Sequence, residues 1–227
     1  MGYKYQMHTH TSPCSACGAI SMAELVKELA ESDYQGFVIT NHFKHGNSGI
    51  DRNLTWRDFV RQYELDYLEG KKLAEKYGKD IIFSIEEGVG YGLEILCYGI
   101  TPEILYNHPE LDKWDVSEWY RVLSANNGLC IQAHPFRKRD YIPTPQLLPL
   151  QYIDGIEVYN SGNRPEENDR AFDIADAHSE FILTSGGDYH GVGHINVAGI
   201  ESECRITNET ELVTVLKSGN YKLLYAD

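Results

Sequence analysis

Hydrophobic positions in this chain follow two alternating patterns. Short runs rich in β-branched and aromatic residues predict strands at Tyr3–Thr9, Gly36–Thr40, Ile81–Glu86, Leu93–Tyr98, Leu129–Ala133, Gly155–Tyr159, Phe181–Ser185 and Val197–Ile200, with a terminal candidate at Tyr221–Tyr225. Between them the apolar spacing changes to that of amphipathic helices. These are predicted at Met22–Glu31 behind a Ser21 cap, Trp56–Tyr77 behind Thr55, Val116–Asn126 behind Asp115, Pro165–Ala177 and, more briefly, Glu209–Lys217. Such alternation predicts βα units around a mostly parallel sheet, and the number of strands favours an α/β barrel over an open sheet. Loop-like composition is confined to Arg137–Leu150 and Arg164–Asn168, and no repeat or linker divides the chain. Residues 1–227 therefore read as one domain.

Composition narrows the class. A chain of 227 residues with 42% apolar and 24% charged side chains can bury a large core, and barrels of roughly 200 to 250 residues commonly form single domains. Thirty-four acidic against 20 basic residues leave a net charge of −14, which opposes the long-range attraction a nucleic-acid duplex would need. No basic segment followed by an apolar run opens the sequence, no stretch of about 18 apolar residues occurs, and Gln6 stands where a myristoylation signal requires Ser or Thr. The expectation is a cytoplasmic protein without membrane attachment. Five cysteines, at 14, 17, 97, 130 and 204, are odd in number and too sparse for a disulfide framework, so reduced thiols are expected.

The chemistry lies at the carboxyl ends of the predicted strands. His8 and His10 end the first, His42 follows the second, Glu86 ends the third, His134 follows the fifth, and Asp188 and His190 follow the seventh. In a barrel those ends converge on the face where active sites are built. The pairs His8-Thr9-His10 and Asp188-Tyr189-His190 place alternate side chains on the same side of an extended backbone, so one cation can be gripped by both. Imidazole and carboxylate donors suit zinc, manganese or iron, and a carboxylate such as Glu86 can bridge two ions. A lone histidine is more often a turn cap or a satisfied core residue. That reading is kept for His45, His108 and His178, with an outer-shell role open for His194.

The segments MHTHT, ITNHF, SIEEG, QAHPFR, DGIEVYN and TSGGDYHG occur in that order over most of the chain. Together they resemble the PHP family, named for polymerase and histidinol phosphatase domains. The resemblance implies a distorted (β/α)7 TIM-like barrel, with two or three divalent ions on its carboxyl face and phosphoester hydrolysis. It also implies that His8, His10, Glu86 and Asp188 hold one ion, that Glu86 and His134 share a second, and that His42 and His190 hold a third. Two departures stand out. Cys17-Gly18 occupies the place of the family's Asp-Gly, so Cys17 is either a substitute ligand of the third ion or, with Cys14, a small loop residue. Glu94 stands where many relatives have a histidine, and is either a harder second-site ligand or a solvated strand residue.

Phosphate esters repel an incoming oxygen, and metal ions counter this by neutralising charge and bringing the pKa of bound water to around 7. The nucleophile is then metal-bound hydroxide, and no protein nucleophile is needed. Glu86, Asp188, His190 and Arg137 are the expected catalytic residues, His190 or His194 protonating the leaving oxygen. Arg137, ahead of Lys138 and Arg139, is the first candidate to grip phosphate, since a planar guanidinium binds it in two places; Lys44 and Arg164 are further candidates. The expected substrate is a small phosphorylated metabolite or nucleotide. Alternatives are histidinol phosphate, a phosphotyrosine peptide, or an inactive metal-binding regulatory module.

Overall fold

Helix starts are decided locally by the caps that the sequence supplies. Ser21 Oγ accepts from Glu24 N while Glu24 Oε2 accepts from Ser21 N, a reciprocal capping box, and Thr55 and Asp115 cap the next two long helices. The computed structural model describes residues 2–113, 115–191 and 198–226. In chain order its elements are β1 (Tyr3–Thr9), α1 (Met22–Glu31), β2 (Gly36–Ile39), α2 (Trp56–Ala74), β3 (Asp80–Phe83), β4 (Glu86–Gly88), β5 (Glu94–Tyr98), α3 (Pro102–Asn107), α4 (Val116–Ala125), β6 (Leu129–Gln132), β7 (Gly155–Asn160), α5 (Pro165–Ala177), β8 (Ile182–Gly186), β9 (Gly199–Ser202), α6 (Glu209–Ser218) and β10 (Tyr221–Leu224).

The strands form two five-stranded sheets, ordered β10-β9-β1-β2-β3 and β4-β5-β6-β7-β8, rather than one closed ladder. The expected mostly parallel sheet is also only half present. Parallel pairs join β1 to β2, β2 to β3, β6 to β7 and β7 to β8, whereas β1–β9, β9–β10, β4–β5 and β5–β6 are antiparallel. In the second sheet the reversal comes from a hairpin between β4 and β5, where Gly90, Tyr91 and Gly92 all take positive φ and turn the chain in a few residues; in the first, β9 and β10 add antiparallel to the edge of β1. The predicted strand Ile81–Glu86 breaks into β3 and β4, so Glu86 opens a strand instead of ending one. Helix α3 was not expected from the apolar spacing.

Isolated bridges join the two sheets at both seams. Thr9 meets Tyr189 at one and His42 meets Glu86 at the other. At the first seam Tyr189 N donates to His8 O at 3.0 Å and His10 N to Tyr189 O at 2.7 Å; at the second, Phe43 N donates to Glu86 O at 2.7 Å. The backbone of the candidate ligands is thus the material that joins the halves.

Neighbouring residues on the central strands face opposite cores, as strands buried on both sides require. Phe37, Ile39, Ile81, Phe83, Ile95 and Cys97 pack into one apolar cluster, while Val38, Ile82, Leu96 and Tyr98 pack into a second with Tyr5, Met7 and α6 residues Leu212 and Leu216. Directly after His42, Phe43 is buried with its ring edge-to-face against Trp56, Phe59, Tyr63 and Trp119, at centroid distances of 5.5, 5.2, 4.9 and 6.1 Å. Deleting a buried Phe ring typically costs about 3–5 kcal/mol. Phe43→Ala is expected to lower unfolding free energy by about that amount in urea titration; a loss under about 1 kcal/mol would show that the cluster does not hold this segment.

Candidate metal centre

Five segments bring the candidate ligands together. The Thr9–Tyr189 bridge places His8-Thr9-His10 alongside Asp188-Tyr189-His190, and the His42–Glu86 bridge brings the end of β2 to the start of β4. His134 lies two residues past the end of β6. His134 and Asp188 adopt φ of 27° and 50°, a left-handed conformation that side chains other than glycine rarely take. Such backbone costs of order 1–3 kcal/mol per residue and persists where surrounding contacts over-determine it. Here His134 N donates to Glu157 Oε2 at 3.0 Å, and Arg137 Nη2 grips Asp188 Oδ2 at 2.6 Å.

Glu86 lies at the middle and is fully buried. Its Oε1 is 3.0 Å from His134 Nε2 and 3.3 Å from His8 Nε2; its Oε2 is 2.9 Å from His42 Nδ1 and 3.5 Å from His10 Nε2. Asp188 Oδ1 stands 3.1 Å from His10 Nε2 and 3.5 Å from His8 Nε2. Yet His8 Nε2, His10 Nε2, His42 Nδ1 and Glu86 Oε2 are buried without completing a hydrogen bond among the described residues. Buried polar atoms are nearly always satisfied, by protein, water or an ion. These four atoms, spread over neighbouring groups around Glu86, can serve as donors to cations, and the residue types fit divalent metal. Four overlapping groups, each with ligand atoms within 4.8 Å of one another, divide the centre: His8, His10 and Asp188; His8, Glu86 and His134; His42, Glu86 and Glu94; and His10, Cys17, His42 and His190.

Burial alone would raise the Glu86 and Asp188 carboxyls. Positive neighbours outweigh it and hold both well below the usual carboxylate range: His8 and His42 act on Glu86, and His8 and Arg137 on Asp188. Burial, helped by His42, pulls the His10 imidazole down to about 3, so it is neutral and its lone pair is available.

The structure brings together His8, His10, Cys17, His42, Glu86, Glu94, His134, Asp188 and His190, all read from the sequence. Cys17 Sγ is 3.1 Å from His190 Nε2, whereas Cys14 is a core residue. Burial raises the Cys17 thiol, but hydrogen bonds from His190 and His42 bring it down to about 6. Glu94 reaches both ways, with Oε1 3.3 Å from His42 Nδ1 and Oε2 3.6 Å from His134 Nε2. Arg137 lines the same cavity of about 380 Å³ as Cys17, His42, Glu86, Asp188 and His190.

Two expected phosphate contacts are not at this cavity. Lys44 is buried with Nζ on Arg52 O at 2.8 Å and 4.7 Å above the Phe59 ring, so the aromatic cluster and a carbonyl satisfy it elsewhere. Arg164 is exposed at the N-cap of α5, its backbone N–H donating to Glu167. Arg139 is paired with the same Glu167. His45, His108 and His178 pair with Glu87, Glu110 and Glu180. His194 lies outside the described residues.

Sequence reasoning missed Glu157. It is buried on β7, its Oε1 2.9 Å from His8 Nδ1 and its Oε2 accepting from His134 N and Asn160 Nδ2. A carboxylate on the far nitrogen of a ligating histidine fixes its tautomer and strengthens it as a donor. The signal was present: Gly155-Ile156-Glu157-Val158-Tyr159 places one charge inside an apolar strand, where only a paired carboxylate is tolerated.

No family model matches the chain, and no curated protein matches it in sequence. Its fold is shared with solved structures. A Bifidobacterium adolescentis protein, provisionally designated a metal-dependent phosphoesterase, superposes with a TM-score of 0.59 at 15% identity over 96% of each chain. A two-domain Bacteroides vulgatus protein, containing a PHP-like metal-dependent phosphoesterase by prediction, gives 0.69 at 15% identity over 99% of this chain and 65% of its own length. A Chromobacterium violaceum amidohydrolase, with sulfate bound and no metal, gives 0.60 at 14% identity over 84% of this chain and 88% of that one. At these identities the likeness establishes a common α/β fold with PHP-like phosphoesterases.

Replacing an outer partner of a ligating histidine typically costs 10–100-fold in metal affinity. Glu157→Gln is expected to weaken zinc binding by roughly that factor in calorimetric titration, and unchanged affinity would remove it as a support of His8. Cys17 is expected to be protected from iodoacetamide by bound zinc and to react after chelation. Because its thiol sits near 6, the metal-free reaction rate should level off above about pH 7 instead of climbing through pH 9. Equal alkylation with and without zinc would exclude Cys17 as a ligand.

Proposed function

We propose that the chain is a metal-dependent phosphoesterase acting on a small phosphorylated metabolite or nucleotide. The observation that carries this reading is the set of four buried, unsatisfied donor atoms around Glu86 in a cavity walled by Arg137. In this reading the two sheets are the halves of a (β/α)7-type barrel drawn together at the Thr9–Tyr189 and His42–Glu86 seams. Two or three divalent ions of zinc, manganese or iron are held by His8, His10, Glu86 and Asp188, by Glu86 and His134 with Glu94, and by His42, His190 and Cys17. Bound there, such ions supply charge neutralisation at the phosphoryl oxygens and an acidified water.

The chain's own residues supply the rest. Asp188 is oriented by Arg137, whose Nη2 also donates to Asn160 Oδ1 at 2.7 Å and whose Nε donates to Asn163 Oδ1 at 2.8 Å. With those two nitrogens committed, Arg137 turns Nη1 to the phosphoryl group. His190 Nδ1 donates to Asp188 O at 2.6 Å, which leaves Nε2 to carry a proton to the leaving oxygen when no ion holds it. An adjoining cavity of about 330 Å³, lined by His45, Leu93, Glu94 and Tyr141 among others, gives the leaving group room. No helix of the described residues is long and apolar enough to cross a membrane. A cytoplasmic location and the absence of duplex nucleic-acid partners remain part of the proposal.

The test is a phosphate-release screen over phosphomonoesters and nucleotides with zinc, manganese and iron, run beside an amide panel. His10→Ala and Asp188→Ala are expected to lower turnover by more than the roughly 100-fold that loss of an outer-shell partner reaches, with far-ultraviolet circular dichroism unchanged. Glu86→Gln should lose more than Glu94→Gln, because Glu86 faces four imidazoles and Glu94 faces two. Amine release in place of phosphate would redirect the reading to amide hydrolysis, and equal losses at Glu86 and Glu94 would remove the bridging role.

A further inference from the structure

The loop that carries Cys17 does a second job one turn earlier. His8 has a carboxylate on its outer nitrogen, but His10 has only a hydroxyl, with Nδ1 lying 3.1 Å from Ser15 Oγ. A hydroxyl can either donate or accept, so by itself it leaves the histidine tautomer open. What surrounds Ser15 closes that choice. Thr11 N, which can only donate, points at Asn41 Oδ1 at 2.6 Å and so identifies that atom as the amide oxygen. Ser15 Oγ then gives its one proton to the same oxygen at 2.9 Å. Having spent it, Ser15 can only accept, which it does from His42 N at 2.9 Å.

The far end of the amide is held just as firmly. Asn41 Nδ2 donates to Thr11 Oγ1 at 2.8 Å and to Asp66 Oδ2 at 3.3 Å, and Thr11 Oγ1 passes its own proton to Asp66 Oδ2 at 2.9 Å. Thr11, Ser15 and Asn41 are all buried, so water offers no alternative partners. Every proton in the chain from His10 to the α2 carboxylate of Asp66 therefore has one direction.

We propose that Ser15 and Asn41, anchored by Asp66, are positioning residues that lock His10 as the Nδ1–H tautomer and so present its Nε2 lone pair to the metal centre. None of the three touches the ligand cluster's inner atoms. They act through His10, and Ser15 also holds the backbone of His42. The inference rests on the metal-centre reading for its consequence; in the metal-free protein the relay holds a proton on Nδ1, while Nε2 faces Asp188 Oδ1 at 3.1 Å, where a cation would sit.

Long-range proton–nitrogen correlation spectra of the histidine rings in the metal-free protein read the tautomer directly, and zinc titration reads the consequence. The wild type is expected to show His10 protonated at Nδ1. Asn41→Ala frees the Ser15 proton to turn toward His10 Nδ1, and Ser15→Ala removes the acceptor, so both should populate the Nε2–H form and weaken zinc binding about 10- to 100-fold. Asn41→Asp keeps an acceptor oxygen for Thr11 N and Ser15 and should retain the wild-type tautomer. A merely structural role would lower the melting temperature of these variants without moving the ring spectrum. The proposal is overturned if wild-type His10 is the Nε2–H form, a measurement needing no variant, or if folded Asn41→Ala keeps Nδ1–H with zinc affinity within about twofold of wild type. If the wild type binds no zinc, the metal-centre reading fails, and the tautomer alone decides the relay.

Discussion

The carboxyl face of this fold is arranged around one buried negative charge. Glu86 has no exposed surface, and a carboxylate removed from water costs several kcal/mol unless opposite charges and hydrogen-bond donors replace its hydration. Its replacements come from four imidazoles on three separate segments, His8 in β1 and His10 just after it, His42 after β2 and His134 after β6. Without ions the balance is struck by protons: Glu86, Glu157 and Asp188 draw His8 above the usual imidazole range against the pull of burial, and Glu86 does the same to His42. Protons on these imidazoles thus compete with cations, so metal binding at this centre must displace them and strengthen as pH rises above the usual imidazole range.

That charge also explains why the seams lie where they do. A continuous ladder across β3 and β4 would align every residue with a neighbour and leave little freedom to aim side chains inward. The structure instead joins its halves by single bridges at Thr9–Tyr189 and His42–Glu86, and it accepts left-handed backbone at His134 and Asp188. The unfavourable conformations sit beside strong compensating contacts, Glu157 on His134 N and Arg137 on Asp188. Stability and site geometry are therefore not separable here: the aromatic packing of Phe43 fixes the segment that carries His42, and Tyr63 OH donates to the His42 carbonyl at 2.6 Å.

Sequence alone singled out the side chains that the structure gathers because their signal is positional, with metal-binding types at strand ends in an order that resembles a known family. Helix starts were legible for the same local reason, since Ser21, Thr55 and Asp115 are caps wherever they fold. Three features escaped for different reasons. The antiparallel turn of β4 and β5 is set by three residues with positive φ, and strand spacing carries no direction. Lys44 and Arg164 look like phosphate contacts by proximity to ligands in sequence, yet one is drawn into the Phe59 face and the other caps α5. Glu157 and Ser15 act through the histidines they touch; Glu157 is marked in sequence only as a lone charge in an apolar strand, and nothing in the neighbours of Ser15 announces its role.

The two departures from the family pattern fall on opposite sides of the centre, and their chemistry differs. Cys17 adds a soft, polarizable sulfur to the side held by His42 and His190, where thiolate and imidazole favour zinc or iron. Glu94 adds a hard oxygen between His42 and His134, where carboxylate donors favour manganese. His42 faces both, so a change of ligand at either position alters the charge felt at the other. The centre is thereby graded from soft to hard across a few ångströms, with Glu86 common to the middle. Such a gradient of donors argues that exchanging Cys17 for a carboxylate should move metal preference most on the side of His190 and less, through His42, on the side of Glu94, while altering Glu86 should disturb both together.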